Sequence, residues 1–291
     1  MCISSRFHGR CERYKSFKPD EKPGLHRTKV QNWTAMQFHR KNGLLFLKFE
    51  NLSRFPEVVH GTFTRLGGQS RGTLASLNIG NNIGDTPRVV DQNRHAIAGA
   101  LDSSDLFFLS QVHGTDIVLA DNDRLSGKAP GPPESDGVIS GMPGRMLVIQ
   151  VADCQSVMLH DPVTKAVANI HSGWRGSIGN IIGKCIEAMQ RHFGADPADL
   201  VAGIGPSLGP CCAEFIHYET EIPEAFWKYR DSENRFDFWQ ASHDQLQGRG
   251  VLPENIECSN ICTRCNPHLF FSYRHDKMTG RFASVIGLSP G

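Results

Sequence analysis

Short apolar runs alternate with amphipathic segments along most of the chain. Residues 106–110 and 146–152 are apolar runs of strand length, and the second is continuous enough to predict a strand buried on both faces. Residues 156–161 and 166–171 flank a DPVT turn and predict a β-hairpin. Strands mixed with helices in one stretch of chain predict the α/β fold class.

Two segments carry the periodicity of helices. Apolar residues recur at spacings of three and four over residues 178–193, with Ser177 as the predicted N-cap and Gly194 just past the end. A second helix is predicted to start at residues 86–87. Its inward-facing residues are Val90, Ile97 and Leu101.

The N-terminal stretch differs from the rest of the chain. Residues 1–35 are rich in Lys and Arg, contain few aliphatic residues and show no steady periodicity, so we expect a disordered or poorly ordered extension. Either a start codon assigned upstream of Met36 or a basic recruitment tail would explain it. Residues 36–291 are predicted to form one globular domain, because no linker, repeat or low-complexity tract interrupts Val58 to Gly287.

Composition and charge exclude several functional classes. The chain of 291 residues has 31 Lys and Arg against 30 Asp and Glu, so no basic field points to nucleic acid. Its apolar runs are too short to span a bilayer, and no signal peptide is visible. We therefore expect a cytoplasmic protein with small-molecule partners and neither nucleic acid nor membrane as a partner. Its nine cysteines are better interpreted as thiols or ligands than as a disulfide framework.

Three residues form a candidate metal centre. His113 in QVHG, Cys154 in VADC and His171 in IHSGWRG each lie at the end of a predicted strand, and we expect the strands before Cys154 and at His171 to be neighbours. Two imidazoles and a thiolate suit a zinc-like ion and leave the fourth tetrahedral position open for chemistry. The alternative is that each is a structural residue, a buried thiol or a hydrogen-bonded histidine.

The segment after His171 predicts an anion site beside the metal. GWRG leads into the predicted helix, whose N-terminus exposes unpaired N–H groups. Arg175 adds donors suited to phosphate or carboxylate. Alternatively, Arg175 caps a structural carboxylate and the glycines only turn the chain.

Two further segments are weaker candidates. Residues 61–80 form a long polar stretch with Arg65 and Asn78, either a functional loop or a solvated surface loop. Cys262-x-x-Cys265 could contribute to a second metal site with Cys258 or His268, but a second CxxC pair is missing. No dinucleotide fingerprint, Walker A motif, GxSxG elbow or HExxH helix occurs.

An ordered set of motifs resembles the laccase-domain family, first described as polyphenol oxidases and later as purine nucleoside phosphorylases. The motifs are GTFTRLGG, SLNIG, QVHG, ADC, HSGWRG, GIGPSLGPCC and FFSYRHDKMTGR, and the resemblance covers about residues 58–288. Small departures are Ser172, where many members carry alanine, and Gln155-Ser156, where ADCxPV is common.

The resemblance implies a layered α/β fold with mixed sheets flanked by helices. It implies zinc on His113, Cys154 and His171, phosphorolysis of adenosine, inosine and methylthioadenosine, and deamination of adenosine. On this hypothesis Arg65, Asn78 and Arg175 bind substrate or phosphate, and these residues act with the metal.

Other roles and functions stay open at this point. Asp153, beside Cys154, is either the proton-shuttling carboxylate or a structural aspartate. A copper-dependent polyphenol oxidase would use the same His₂Cys ligands, but a laccase also needs HxH pairs that this sequence lacks. Two further readings are a cysteine hydrolase of peptidoglycan-type substrates, with Cys154 as nucleophile, and a binding module without catalysis.

Overall fold

The computed structural model describes residues 36–81, 83–121 and 131–290. The predicted extension over residues 1–35 lies outside the described residues. Within the described ranges, no helix is long and apolar enough to cross a membrane.

Twelve strands in the described residues form two mixed sheets of six strands each. In chain order the strands are β1 Met36–Lys41, β2 Leu44–Phe49, β3 Val58–Phe63, β4 Asp105–Phe108, β5 Ile117–Leu119, β6 Gly137–Ser140, β7 Arg145–Val151, β8 Gln155–Asp161, β9 Ala166–Ser172, β10 Val201–Ile204, β11 Ile256–Cys258 and β12 Phe282–Leu288. The first sheet has the order β1-β2-β3-β12-β7-β4, and the second has the order β11-β10-β8-β9-β6-β5. The pairs β4/β7, β5/β6 and β10/β11 are parallel, and the other neighbours are antiparallel.

Six α-helices of the described ranges lie among these strands. They are α1 Glu50–Ser53, α2 Pro87–Ala100, α3 Trp174–Ile178, α4 Ile181–Phe193, α5 Tyr218–Glu221 and α6 Phe238–Gln247. Single 3₁₀ segments occupy Gly72–Leu74, Glu224–Tyr229 and Pro253–Asn255. The predicted α/β class with mixed sheets and flanking helices is confirmed.

Alternation along the strands stacks the two sheets and their helices in layers. In β7, Leu147 and Ile149 face a core shared with the second sheet, whereas Met146 and Val148 face a core shared with α2. The outer face of the second sheet is covered by α4, together with Leu246 of α6. Both faces of each sheet are therefore buried over much of their area, which explains the continuous apolar run in β7.

Several sequence predictions are confirmed in detail. The β8/β9 hairpin pairs across the DPVT turn, with Gln155 opposite Ser172 and Asp161 opposite Ala166. The helix predicted from residues 86–87 is α2, and its residues Val90 and Ile97 are buried.

The predicted helix over residues 178–193 is wrong at its start. Helix α4 begins only at Ile181, and the short α3 before it is a separate helix. Asn180 adopts a left-handed conformation at φ 54° and caps α4, because its side chain accepts a hydrogen bond from the Gly183 N–H. Ser177 is therefore not the N-cap; its hydroxyl pairs with Ser172 at 3.0 Å.

The strands before Cys154 and at His171 are predicted to be neighbours, but they belong to different sheets and pack against each other across the core. The strand before Cys154 is β7 in the first sheet, whereas His171 lies on β9 in the second sheet. Residues 152–154 connect β7 in the first sheet to β8 in the second sheet. The neighbour of β9 is β8, which starts directly after Cys154.

Candidate metal centre

His113, Cys154 and His171 meet in space, as their positions at strand ends predict. Their ligand atoms all lie within 4.8 Å of one another. The Cys154 Sγ is 3.9 Å from the His113 Nε2, and the two imidazole rings meet edge to face with centroids 4.8 Å apart. His113 is exposed, Cys154 is partly buried and His171 is buried, and the three side chains converge near the protein surface.

Three different backbone environments place these ligands. Cys154 ends the crossing between the sheets, and His171 lies on β9 opposite Ser156. His113 lies in the loop after β4 and has a left-handed backbone at φ 60°. That conformation is uncommon for a residue with a side chain, so the loop must be held by other contacts.

Asp136 supplies those contacts, and the sequence did not single it out. One carboxylate oxygen accepts a hydrogen bond from the His113 N–H at 2.9 Å and lies 2.7 Å from the Nδ1 of His171. The other oxygen accepts from the N–H groups of Gly114 and Val112. A buried carboxylate therefore positions both histidines and leaves the Nε2 of His171 for a metal.

The electrostatics of the site favour a thiolate at Cys154. Burial raises the pKa of this thiol, but the charge of His171 and hydrogen bonds with His113 and His171 outweigh it and lower the pKa to about 6. Burial lowers the pKa of His171, but the Cys154 thiolate and the Asp136 hydrogen bond raise it to about 9. For Asp136, burial is likewise outweighed by the hydrogen bonds it accepts, and its pKa falls. Without a metal these shifts describe a thiolate–imidazolium pair, and a soft cation bound by Cys154 and His171 would displace the imidazolium proton.

The separation of Cys154 and His113 is compatible with a tetrahedral metal ion such as zinc. Zinc bond lengths of about 2.3 Å to sulfur and 2.0–2.1 Å to nitrogen place tetrahedral S and N donors about 3.6 Å apart. The observed separation of 3.9 Å is close to this value. Gly173 makes the approach feasible, since a Cβ there would lie 3.1 Å from the His113 ring and 3.2 Å from the Cys154 Sγ.

A cavity of about 800 Å³ opens beside the three ligands. Aromatic side chains on its walls include Phe108, Trp174, Phe215, Phe238 and Tyr273. Its charged lining consists mainly of arginines: Arg94, Arg175, Arg274 and Arg281. The cavity thus combines apolar surface for a flat ligand with positive charge for an anion.

Of these arginines the sequence singled out only Arg175. Arg281 and Arg274 lie in the FFSYRHDKMTGR motif, so that motif held a usable signal for them. Burial lowers the pKa of Arg281, while the negative charges of Cys154 and Asp153 act in the opposite direction. All three residues line the same cavity.

Arg65 does not line this cavity. Its guanidinium donates to three backbone carbonyls, those of Ala75, Pro267 and Thr73, and lies over the ring of Phe271. These contacts tie the 61–80 segment to the chain near residue 267.

Asn78 is likewise outside the cavity lining and is fully buried. Its side chain donates to Gly80 and Asp85 and accepts from the N–H groups of Gly80 and Arg281. It thereby connects the 61–80 segment to Arg281, which does line the cavity.

Asp153 lines the cavity and has a left-handed backbone at φ 87°. Its carboxylate accepts hydrogen bonds from the Thr263 hydroxyl and the Arg274 N–H, both at 2.6 Å. Its carbonyl accepts from the Leu208 N–H at 2.8 Å. Asp153 therefore joins three segments directly beside Cys154.

A second cluster contains four cysteines. Cys211, Cys212, Cys262 and Cys265 lie with their sulfur atoms within 4.8 Å of one another. The sequence suggested Cys258 or His268 as partners of the CxxC pair, but the structure brings Cys211 and Cys212 there instead.

The two-sheet α/β fold thus carries a possible His₂Cys metal site that opens into an arginine-lined cavity. The family model described as multi-copper polyphenol oxidoreductase laccase matches residues 59–289. The chain belongs to this family, as its motifs predict.

Curated relatives and solved structures agree with this assignment. Purine nucleoside phosphorylase YlmD of Geobacillus stearothermophilus is 33% identical over 249 residues, covering 80% of this chain and 91% of that protein. Purine nucleoside phosphorylase YfiH of Escherichia coli is 33% identical over 235 residues, covering 77% of this chain and 91% of that protein. The crystal structure of the Bacillus licheniformis hypothetical protein YfiH superposes with a TM-score of 0.76 at 30% identity, covering 86% of this chain and 98% of the other.

Proposed function

We propose that this protein is a zinc-dependent purine nucleoside phosphorylase. It converts adenosine, inosine or S-methyl-5'-thioadenosine and phosphate to the free base and the sugar 1-phosphate, and it also deaminates adenosine. The observation that carries the proposal is the His113, Cys154 and His171 triad beside a cavity lined by four arginines. The relatives named purine nucleoside phosphorylase support the same reaction.

The cavity has the size and lining that a nucleoside with phosphate requires. Its volume of about 800 Å³ lies within the usual range for small-molecule sites. The aromatic rings of Trp174, Phe215 and Phe238 offer flat apolar surface for a purine. Both proposed partners are small molecules, and the balanced charge of the chain gives no support for nucleic acid.

The arginines hold the attacking anion. Phosphorolysis brings phosphate to the ribose C1′ as the purine leaves, and the sugar acquires positive charge in the transition state. Arg175 is exposed and stacks on Trp174 with its guanidinium 4.4 Å from the ring centroid, so its donors can face phosphate. Helix α3 is only five residues long, so we assign phosphate binding to arginine side chains rather than to a helix dipole.

The remaining polar residues orient the site and move protons. Asp136 fixes both histidines through its hydrogen bonds. We retain Asp153 as the carboxylate for proton transfer in deamination, because it lines the cavity beside Cys154. When bound, zinc on the triad supplies Lewis-acid activation of a water or substrate oxygen.

The decisive experiment uses Cys154→Ala with inosine and phosphate as substrates. We expect loss of ribose 1-phosphate formation, whereas the control Cys185→Ala, buried in α4 away from the cavity, should retain it. Undiminished turnover by Cys154→Ala would refute the role of the triad. If the Asp153 carboxylate transfers protons only in deamination, Asp153→Asn should suppress adenosine deamination more than inosine phosphorolysis.

A phenol-oxidising copper site is the second candidate, because a His₂Cys set also suits copper. A multicopper oxidase needs a further histidine cluster, and within the described ranges the other group of metal-ligating side chains is all cysteine. Oxygen uptake with a phenol, measured on copper-loaded protein, separates the two candidates.

A cysteine hydrolase is the third, because the pKa of Cys154 is lowered to about 6. Thiol alkylation of the metal-free protein should abolish hydrolysis of a peptidoglycan fragment if Cys154 is the nucleophile. Chelation should abolish nucleoside turnover if the triad works through zinc.

A further inference from the structure

Four cysteines converge at one end of the second sheet because two strands there are parallel. Strands β10 and β11 are parallel neighbours, with Ala202 opposite Ile256. The loops that follow parallel strands emerge at the same edge of a sheet. The first loop carries Cys211 and Cys212, and the second carries Cys262 and Cys265, so the pairing brings a CC pair onto a CxxC pair.

The sulfur spacings match a tetrahedral metal site. The Cys265 Sγ is 3.6 Å from that of Cys211 and 3.5 Å from that of Cys212. Zinc–sulfur bonds of about 2.3 Å place the sulfurs of a tetrathiolate about 3.8 Å apart. A disulfide requires about 2.05 Å, so these two contacts are not bonds between sulfur atoms.

The surroundings of the cluster suit bound thiolates. The Gly209 N–H donates to the Cys262 Sγ at 3.3 Å, and a hydrogen bond of this kind stabilises negative charge on a metal-bound sulfur. The ring of Trp239 packs against Cys212 and Cys262 and shields them from water.

Cys258 shows what an ordinary cysteine looks like in the same neighbourhood. It packs against the cluster but is not one of the four that converge. Burial raises its pKa to about 12, so it stays a thiol. It offers a matched control for the experiments below.

We propose that Cys211, Cys212, Cys262 and Cys265 bind one zinc ion as a structural tetrathiolate, separate from the His113, Cys154 and His171 centre. Four protein ligands leave no open position, so this zinc stabilises the fold and does no chemistry. It cross-links two loops that are about fifty residues apart in the chain, which stabilises the folded state against the unfolded chain.

The same cross-link supports the wall of the catalytic cavity. The two loops also pair through the Thr263 N–H and the Ser207 carbonyl at 2.9 Å. From one loop Leu208 binds the carbonyl of Asp153, and from the other Thr263 binds its carboxylate. Loss of the second zinc should therefore loosen the connection that carries Cys154 as well as lower thermal stability.

Metal content of the purified full-length protein tests the proposal. After zinc loading and gel filtration, we expect two zinc ions per chain in the wild type and in Cys258→Ser. The double variant Cys262→Ser/Cys265→Ser should lose one of the two and melt at a lower temperature. Cys154→Ala should lose the other and keep most of its thermal stability.

Other outcomes are equally informative. One zinc per chain that disappears in Cys262→Ser/Cys265→Ser would support the tetrathiolate and instead count against zinc at the catalytic triad. One zinc that disappears only in Cys154→Ala, with the cysteine double variant unchanged, would overturn the proposal. Iron in place of zinc, or loss of the four thiols to disulfides in freshly purified protein, would also overturn it.

A spectroscopic measurement covers the case in which the double variant does not fold. Cobalt loaded into Cys154→Ala should give an intense thiolate-to-metal charge-transfer band, stronger per cobalt than that of a site with one thiolate. Absence of this band in folded, cobalt-loaded Cys154→Ala would refute a four-sulfur site.

Discussion

Asp136→Asn should weaken metal binding at the triad although Asp136 is not a ligand. The carboxylate accepts three backbone N–H groups and contacts the Nδ1 of His171, so all of its acceptor capacity near the site is used. An asparagine has a donor in place of one oxygen. If the asparagine oxygen faces His113 and His171, its NH₂ group points at the N–H groups of Gly114 and Val112, and donor meets donor. In the reverse orientation the NH₂ group points at the His113 N–H and the His171 Nδ1 instead.

The size of the effect follows from the burial of Asp136. Each buried N–H left without an acceptor costs about 1–3 kcal/mol, because Asp136 has no exposed surface through which water could replace it. The loop that carries His113 then has less to hold its left-handed backbone. We expect a decrease in zinc affinity of roughly 10- to 100-fold, equivalent to about 1.4–2.7 kcal/mol, as for other partners that orient metal-ligating histidines.

Competition with a chromophoric chelator measures this affinity directly. Asp116→Asn is the control, since it makes the same chemical change at an exposed residue of the loop that carries His113. Equal zinc affinities for Asp136→Asn and the wild type would show that the hydrogen bonds of Asp136 do not organise the centre. A large loss in both variants would point to loop charge rather than to His171.

Three further predictions address other parts of the molecule. Gly173→Ala should lower zinc affinity in the same competition assay, because the added Cβ crowds His113 and Cys154. The exposed helical Gly99→Ala is the control: its Cβ would meet only the Asn42 side chain, at 3.9 Å, and the change should stabilise the protein by about 0.5 kcal/mol in urea unfolding. Arg65→Gln should lower the melting temperature and leave the KM for phosphate nearly unchanged, because Arg65 donates to backbone carbonyls outside the cavity; a KM increase of tenfold or more would return it to the phosphate site. Burial lowers the pKa of His60 to about 3, below its usual 6.5. As the pH falls below 6.5, His60 becomes protonated in the unfolded chain but not in the folded protein, so the folded state loses stability. At pH 5.5 this loss of unfolding free energy is about 1.4 kcal/mol. Urea unfolding at pH 7.5 and 5.5 should show a smaller difference in unfolding free energy for His60→Gln than for the wild type. An equal difference in both proteins would contradict the assignment to His60.

The parts of the fold that the sequence predicted are those fixed by local pattern. The β8/β9 hairpin follows from two apolar runs around one turn, and α2 follows from one amphipathic period. The break between α3 and α4 escaped prediction because the apolar spacing continues across it. What interrupts the helix is the left-handed backbone of Asn180, which periodicity does not register.

The candidate site divides in a similar way. The three ligands of the triad could be named because His and Cys carry recognisable chemistry at strand ends. Asp136 could not, since its role depends on which N–H groups the His113 loop turns towards it. The charge of Arg65 suggests an anion, but the fold places three carbonyls around its guanidinium, so its role in phosphate binding stays a prediction.

The second cysteine cluster shows what topology adds to a motif. Cys262-x-x-Cys265 lacks a second CxxC in the sequence, and CC at 211–212 does not have the usual spacing of a zinc motif. The parallel pairing of β10 with β11 is what brings the two loops together. The four cysteines can therefore be grouped from the sequence only once the pairing of β10 with β11 is known.

Two carboxylates connect the fold to the candidate metal centre. Asp136 binds the His113 loop and His171, while Asp153 binds three separate segments and precedes Cys154. Both His113 and Asp153 have left-handed backbones, which are unfavourable for residues with side chains unless surrounding contacts offset the cost. Those contacts are the hydrogen bonds of the two carboxylates. The positions of His113 and His171 are therefore set by hydrogen bonds to Asp136, so removal of a metal should leave them in place, whereas loss of the Asp136 carboxylate should not.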